Sequence, residues 1–175
     1  MATTLTIAFW ILLGLVIYAY AAYPVLVGLL AKAKGRRPAT ELPDILPDVT
    51  LFVTAFNEEQ FVDEKVANSM AIDYPAEKLH LVWVTDGSDD HTNDLLQKYS
   101  NIKVYYEPER QGKVHAMKRG LDFVDTDIVI FTDANTMLSP ESVKEIVRLF
   151  ENRQIGCVAG EKRILNESRE NAASS

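Results

Sequence analysis

The stretch VTLFVTAFNEE, residues 49–59, decides the fold of this 175-residue chain. An apolar, β-branched run from Val49 to Ala55 is typical of a buried strand, and polar side chains follow it directly. The same arrangement recurs at LVWVTDGS, residues 81–88, and at IVIFTDAN, residues 128–135. Because ligands bind at the carboxyl ends of the strands in open α/β sheets, these repeats predict one sheet edge lined with acids and amides.

Helical patterns alternate with the strand-like runs. A further strand is predicted at residues 102–106, and apolar residues recur at helical spacing near residues 62–70, 92–99, 114–124 and 143–150. Ser139, Pro140 and Glu141 supply a cap, a proline for the first helical position and a first-turn acid, so they predict the start of the last helix. The alternation predicts an α/β fold with a doubly wound, mainly parallel sheet.

The last apolar run, IGCVA at residues 155–159, predicts a fifth, buried strand. It contains Cys157, the single cysteine of the chain, so an internal disulfide is excluded. We expect a thiol in a buried strand to be an inert core side chain.

An uncharged apolar stretch, residues 7–31, precedes the α/β pattern. A bilayer span needs about 20 such residues, and no charged side chain occurs before Lys32. A cleaved signal peptide fits less well, because a basic amino-terminal region is missing and the apolar part exceeds the usual roughly 7 to 15 residues. The stretch therefore predicts one transmembrane helix.

Charge predicts the orientation of that helix. Lys32, Lys34, Arg36 and Arg37 follow the apolar stretch, whereas every acid lies beyond residue 40. The positive-inside rule then predicts an outside amino terminus and a cytoplasmic domain at the plasma (inner) membrane. We expect four regions: a membrane helix with its basic flank at 1–34, a linker at 35–47, the α/β domain at 48–165 and a polar tail at 166–175.

The net charge of the domain argues against nucleic acid as a partner. The whole chain has 18 basic and 25 acidic residues, a formal net charge of -7. Without the four membrane-flanking cations, 14 basic residues remain against the same 25 acids, which leaves a net charge of -11. A non-specific nucleic-acid binder needs the opposite sign.

The polar strings after the first two strands each have a structural interpretation beside a functional one. Asn57 could cap the following helix, with Gln60 as its capping-box partner. Asp86 could belong to a turn before the next helix. Asp86 could equally accept hydrogen bonds from a base or a ribose, as the acid of dinucleotide folds does.

The later strings suit a phosphate and a metal ion. Gly112 and Lys113 open a helix, where free backbone N–H groups and an ammonium both favour negative charge. Asp133 and Asn135 end a buried strand as two oxygen donors at close spacing, so they predict a Mg²⁺ or Mn²⁺ site that bridges a diphosphate. A solvated helix start and a plain turn are the structural alternatives.

Taken in order, the four strings closely resemble the donor-binding half of family-2 glycosyltransferases. They read VTAFNEE at 53–59, VTDGSDD at 84–90, RQGKVHAM at 110–117 and IFTDANT at 130–136. The resemblance extends over residues 49–163, and the preceding apolar stretch makes the chain most similar to the membrane-bound branch of hyaluronan, chitin and cellulose synthases. It implies a GT-A fold, a nucleotide-sugar donor that is usually a UDP-sugar, and hexosyl transfer with inversion at the anomeric carbon.

The resemblance implies a nucleotide-sugar site of nine residues. The first strand and its loop would line the nucleoside pocket, Asp86 would bind uracil, and Lys113 would lie near the nucleotide. Asp133 would hold the ribose and the metal, with the neutral Asn135 in place of the family's second acid, which weakens the expected metal binding. The full set is Thr54, Ala55, Asn57, Glu58, Asp86, Lys113, Asp133, Ala134 and Asn135.

The family places its catalytic base, and a later Gln-x-x-Arg-Trp string, in an acceptor half beyond the strand near Cys157. The sequence stops at Ser175, and no candidate base stands in a matching context. We therefore expect the donor-binding half of a longer enzyme, inactive by itself and with a carboxy-terminal acceptor half as its missing partner, and assign no catalytic residue.

Other function classes stay open at this point. A non-catalytic nucleotide-sugar-binding module, or one chain of a split enzyme, would bind UDP without transferring sugar. A phosphatase resembling the haloacid dehalogenases would also have an acid at the end of a buried strand. Its chemistry requires a second acid at the position that Asn135 occupies. A nicotinamide dehydrogenase is disfavoured because residues 54–59 contain no glycine.

Overall fold

A computed structural model describes residues 2–34 and 41–161 of the chain. The predictions that concern Arg36, Arg37, the first part of the linker and the tail at 166–175 lie outside the described residues. The chain divides into two compact units, residues 1–39 and residues 40–175. Each unit is considered by itself.

The amino-terminal unit is helical from α1 (Ala2–Ile17) through a π-helical turn (Tyr18–Ala22) to α2 (Tyr23–Lys34). Pro24 has no N–H to donate to an α-helical bond, and the wider turn ends two residues before it, at Ala22. The run Ala2–Ala33 is long and apolar enough to cross a membrane, and it is the one such helix among the described residues. Its large apolar side chains are exposed rather than packed in a core, which agrees with the predicted membrane helix.

The second unit contains a four-stranded sheet in the order β3-β2-β1-β4, and all three pairings are parallel. The chain moves outward from β1 to β3 and then returns to place β4 on the other side of β1. The switch point, where ligands bind in such sheets, therefore lies at the carboxyl ends of β1 and β4. The strands are β1 (Val49–Ala55), β2 (Leu79–Asp86), β3 (Ile102–Glu107) and β4 (Ile128–Asp133).

Helices cover both faces of the sheet, as predicted for a doubly wound fold. One face packs Leu51, Val53 and Trp83 against three of the helices, and the other packs Phe52 and Val84 against the fourth. The helices on the first face are α3 (Val62–Met70), α4 (Thr92–Leu96) and α6 (Ser142–Phe150), with a short 3₁₀ turn (Glu59–Phe61) before α3; the helix on the second face is α5 (Lys113–Leu121).

A glycine lets α5 approach the sheet closely. A Cβ atom added to Gly120 would lie 2.2 Å from Cζ of Phe52 and 2.5 Å from Cγ2 of Val84, distances that real side chains do not adopt. The close approach holds α5 against the sheet, and the first residue of this helix is Lys113. The packing of one glycine therefore helps to position a predicted site residue.

The predicted strand at residues 155–159 is wrong. The segment has no regular structure, and Cys157 is exposed rather than buried in the core. A short apolar run becomes a strand only where a neighbouring strand supplies hydrogen bonds, and this run pairs with none of the described strands. Gly156 and Gly160 weaken its strand propensity further.

The predicted start of the last helix is also wrong, by two residues. The helix begins at Ser142, with Glu141 at the N-cap and no side-chain cap bond. Ser139 and Pro140 form the preceding turn, where their carbonyl oxygens accept hydrogen bonds from the backbone N–H groups of Ser142 and Asp73 respectively. Tertiary contact with the loop after α3 thus replaces the predicted cap.

Candidate functional site

A cavity of about 320 Å³ opens at the carboxyl edge of the sheet. It is bounded by the ends of β1, β2 and β4 and by the start of α5, which agrees with the switch point of the topology. Seven of the nine predicted residues line it: Thr54, Ala55, Glu58, Asp86, Lys113, Asp133 and Asn135. Phe56, Arg110, Gly112 and Ala116 complete the lining.

The other two predicted residues lie outside the cavity lining. Ala134 is fully buried and belongs to the core. Asn57 adopts a left-handed backbone conformation with φ 54°. Its side-chain amide donates to Oδ1 of Asp89 (2.6 Å) and its Oδ1 accepts from the Asp89 backbone N–H (3.0 Å). Asn57 therefore joins two loops, and the predicted helix cap by Asn57 is wrong.

The loops after β1 and β2 are joined by further hydrogen bonds. The backbone N–H of Glu58 donates to Oγ1 of Thr92 (2.9 Å). The N–H of Glu59 donates to Oδ2 of Asp90 (3.1 Å), and the Glu59 carboxylate accepts from the N–H of His91 (3.0 Å). Polar residues that the sequence suggested as separate turns thus form one network, which holds one wall of the cavity.

Asp86 is buried, with 4 % of its surface exposed, and it holds the loop before α5. Its carboxylate accepts from the backbone N–H of Gln111 (3.1 Å) and of Gly112 (2.6 Å). The guanidinium of Arg119 lies 3.8 Å from the same carboxylate. A carboxylate offers about four acceptor positions, so Asp86 keeps capacity for a ligand beside this structural role.

Within residues 2–34 and 41–161, the side-chain partner of the Asp133 carboxylate is the ammonium of Lys113. Nζ of Lys113 lies 2.5 Å from Oδ1 of Asp133, and the two side chains are 58 % and 43 % exposed. An exposed pair of this kind contributes roughly 0 to 1 kcal/mol to stability. The ion pair therefore places a cation and a carboxylate together in the cavity without fixing the fold.

Glu58 shares the cavity with Asp133. Burial raises the pKa of the Glu58 carboxyl, and repulsion from Asp133 and Asp90 raises the pKa further. Negative charges nearby disfavour the ionised form of the Glu58 carboxyl. The cavity therefore concentrates negative charge that a bound cation would relieve.

Lys65 is a buried cation that sequence reasoning missed. Its side chain is completely buried, and Nζ donates to Oγ1 of Thr132 (3.1 Å) and to the backbone oxygen of Thr136. Burial lowers the pKa of Lys65 to about 8, and attraction to Asp133 opposes that shift. The available signal was helical spacing, because Lys65 lies on the same face of α3 as the core residues Val62 and Val66.

Arg110 and Phe56 form one wall of the cavity. The Arg110 guanidinium lies 3.8 Å from the centre of the Phe56 ring, a cation–π contact. Gly87, with φ 68°, brings the chain so close that an added Cβ would lie 2.6 Å from the Arg110 backbone nitrogen. The pair joins the loops after β1 and β3, and nothing in local sequence spacing indicates that contact.

Asp133 and Asn135 offer a divalent cation a carboxylate and an amide oxygen. Both line the cavity, and hard oxygen donors of this kind suit Mg²⁺ and Mn²⁺. Among the described residues, no cluster of three or more His, Cys, Asp or Glu side chains could hold a metal by itself. The residues therefore fit an ion that takes its other ligands from a diphosphate and water.

The sequence model for the family described as "Glycosyltransferase like family 2" matches residues 47–175. The chain belongs to this family. The match includes the whole parallel sheet and every residue that lines the cavity, so it confirms the resemblance drawn from the four sequence strings.

Two curated relatives show how the family-2 chain compares with longer proteins. The poly-beta-1,6-N-acetyl-D-glucosamine synthase of Staphylococcus aureus (strain COL) is 28% identical over 129 residues, covering 71% of this chain and 31% of the synthase. The beta-monoglucosyldiacylglycerol synthase of Trichormus variabilis (strain ATCC 29413 / PCC 7937) is 27% identical over 140 residues, covering 77% of this chain and 30% of that synthase. The chain spans less than a third of either relative.

Two solved structures have the same fold. A mannosyltransferase, PcManGT from Pyrobaculum calidifontis in complex with GDP-Man and Mn²⁺, superposes with a TM-score of 0.73 and 28% identity, covering 83% of this chain and 45% of that one. Residues 1–349 of S. aureus TarS, in complex with UDP-GlcNAc, superpose with a TM-score of 0.57 at 22% identity, covering 61% of this chain and 32% of that fragment. The predicted GT-A fold class is confirmed.

Proposed function

We propose that the chain binds a nucleoside-diphosphate sugar, with a UDP-sugar as the predicted donor, and forms the donor-binding part of a membrane-anchored hexosyltransferase. The observation that carries the proposal is the cavity at the switch point. Asp133 and Asn135 line it together with Lys113, the first residue of α5. A cation, a helix start and metal-binding oxygens in one place suit a diphosphate. The relatives support the same class, because two are sugar polymer or glycolipid synthases by name.

The nucleoside part of the donor is assigned to the β1 and β2 side of the cavity. Asp86 has acceptor capacity for a base N–H, and Thr54 and Ala55 line the same space. The flat guanidinium of Arg110 over Phe56 offers a surface against which a planar ring can stack. Glu58 remains near the ribose end in this assignment.

The diphosphate part is assigned to the β4 side. Asp133 and Asn135 would hold Mg²⁺ or Mn²⁺, and the bound ion would supply charge neutralisation for the diphosphate and for the departing nucleotide. Lys113 already contacts Asp133 in the cavity, so its ammonium is placed to share the same anion. PcManGT supports this assignment, since it was solved with a nucleotide sugar and Mn²⁺.

Membrane attachment and orientation form a further part of the proposal. The exposed apolar helix Ala2–Ala33 would anchor the domain, and the cations that follow it would keep the domain in the cytoplasm. Protease added to sealed, right-side-out cells should leave the domain intact. Digestion of the domain in those cells would show the opposite orientation.

Transfer with inversion requires a base that deprotonates the acceptor hydroxyl, worth about 10² to 10⁴ in rate. The carboxylates that line the cavity are Glu58, Asp86 and Asp133, and each is assigned above to the donor. We therefore propose that this chain binds the donor but transfers sugar only with a partner segment that supplies the base. A radiolabelled UDP-sugar assay, with and without such a segment, tests this, and robust product from the chain alone would contradict it.

Calorimetry on the detergent-solubilised chain tests the donor assignment. We expect UDP to bind, Mn²⁺ to strengthen that binding, and ADP to bind more weakly. GDP is the essential comparison, because PcManGT was solved with GDP-Man. Tighter binding of GDP than of UDP would replace the uridine assignment, and binding of neither nucleotide would refute the proposed function.

A further inference from the structure

We propose that Lys65 is a positioning residue for donor binding: from inside the core it holds the segment that carries Asp133 and Asn135 in the conformation that binds a metal–diphosphate. The proposal rests on the function proposed above and adds a residue to it. Lys65 lies on α3, outside the cavity lining, so it would act only through the residues that it contacts.

The two hydrogen bonds of Lys65 bracket the candidate metal ligands. One acceptor, Oγ1 of Thr132, directly precedes Asp133 in the chain, and the other, the carbonyl oxygen of Thr136, directly follows Asn135. One ammonium therefore holds both ends of the segment from Thr132 to Thr136. The backbone of Asp133 and Asn135 can shift little relative to the core while both bonds are in place, although their side chains remain free to turn toward a ligand.

Asn68, one turn further along α3, extends the same arrangement. Its side-chain amide donates to the carbonyl oxygen of Leu138 (2.8 Å), and its Oδ1 accepts from the Leu138 backbone N–H (2.9 Å). Residues 132–138 are thus attached to α3 at three positions. We call this set of contacts, made by Lys65 and Asn68, the α3 clamp.

Stability alone does not account for a lysine at this position. A completely buried ammonium loses its hydration, whereas a methionine of similar length would pack there without that loss. The lysine donates two hydrogen bonds, one to a hydroxyl oxygen and one to a backbone oxygen. Its positive charge also attracts Asp133. Those contributions act on the geometry and charge of the segment that bears the metal ligands.

The experiment compares Lys65→Met with a control variant in the full, detergent-solubilised chain. Thr50→Val is the control, because Thr50 is also buried and loses a hydrogen bond, to Thr126 (2.8 Å), at the opposite end of β1. Amide hydrogen exchange of residues 132–138 and the binding of UDP with Mn²⁺ are measured for each. Uridine binding, followed by saturation-transfer NMR, reports on the nucleoside half of the cavity.

We expect Lys65→Met to speed exchange in residues 132–138 and to weaken UDP binding with Mn²⁺ at least tenfold, while uridine binding changes less than twofold. Thr50→Val should change none of these by more than twofold. Unchanged UDP binding in Lys65→Met would overturn the proposal. Equal proportional losses for uridine and UDP would overturn it too, because they would indicate a merely structural role.

A second variant keeps the test decisive if Lys65→Met does not fold. Thr132→Val retains the lysine but removes one of its two acceptors, so it should produce the same changes at smaller size. No change in exchange or in UDP binding for Thr132→Val would then count against the clamp. If the wild-type chain binds neither UDP nor GDP, the proposed function fails, whereas hydrogen exchange still decides whether Lys65 holds the segment.

Discussion

The regions around Asp86 and around Asp133 place one carboxylate each in the same cavity and treat it in opposite ways. Asp86 is buried and accepts hydrogen bonds from two consecutive backbone N–H groups before α5. The Asp133 side chain is about half exposed, and it pairs with the long, exposed side chain of Lys113. Asp86 therefore has a structural role, whereas Asp133 has a partner that a ligand can displace.

The difference indicates a division of labour between fixed and exchangeable groups. Under the donor assignment proposed above, fixed backbone partners would preorganise the nucleoside side, where a base is recognised by shape and hydrogen bonds. Exchangeable partners would suit the diphosphate side, where a metal ion would bind together with the donor. The α3 clamp would then supply the rigidity beneath Asp133 that Lys113 does not.

The largest expected effect comes from Asp86→Ala. The change leaves two buried backbone N–H groups without their acceptor, so we expect a loss of about 3 kcal/mol in the free energy of unfolding. UDP binding should weaken as well. Urea unfolding and calorimetry on the same preparation measure both effects, and a variant as stable as the wild type would contradict the structural role of Asp86.

Asp133→Asn should give the opposite combination. Loss of an exposed ion pair changes stability by less than about 1 kcal/mol. Loss of a charged oxygen ligand should weaken UDP binding in the presence of Mn²⁺ by about 2 kcal/mol, in the range of charge-assisted hydrogen bonds. Binding of uridine alone serves as the control, and a large loss of stability in Asp133→Asn would remove the contrast with Asp86.

Gly87→Ala tests whether the fixed region depends on close packing of its loops. An alanine there must adopt a positive φ and meets the Arg110 backbone, so we expect a cost of about 1.5 kcal/mol. Gly156→Ala is the matched control, since a Cβ at Gly156 meets nothing within 4 Å. Equal unfolding midpoints for the two variants would show that the loop after β2 adapts freely.

Much of this architecture follows from local sequence. An apolar pattern predicted each of the four paired strands, and Asp86, Asp133 and Asn135 reach the cavity because parallel strands end at one edge. What local sequence does not contain is contact between distant segments. Local sequence suggested that Asn57 caps a helix, because its bond to Asp89 in a separate loop cannot be seen from sequence. Local sequence also suggested that Cys157 is buried, because an apolar run does not reveal whether a partner strand exists.

Lys65 shows the same limit from the other side. A lysine within an amphipathic pattern is usually a surface residue, because lysine side chains are seldom fully buried. Only the sheet order, which places β4 beside β1, brings the loop at Thr136 over α3 and gives the ammonium its acceptors. The residue could therefore be noticed from its spacing, but its role required the fold.

The smallest expected effect concerns Glu58→Gln, which tests the shared negative charge of the cavity. The pKa of Glu58 is raised in the folded state, so between the usual value and the raised value the folded chain binds more protons than the unfolded chain. Stability therefore falls as pH rises through that window, and the glutamine variant lacks this loss. We expect Glu58→Gln to match the wild type near pH 4 and to exceed it by about 0.5 kcal/mol or less at pH 7. Because Asp133 is one source of the repulsion, the gain should shrink in an Asp133→Asn background. Thermal unfolding of the four chains at both pH values measures this, and a gain that is independent of pH would show that charge repulsion is not its cause.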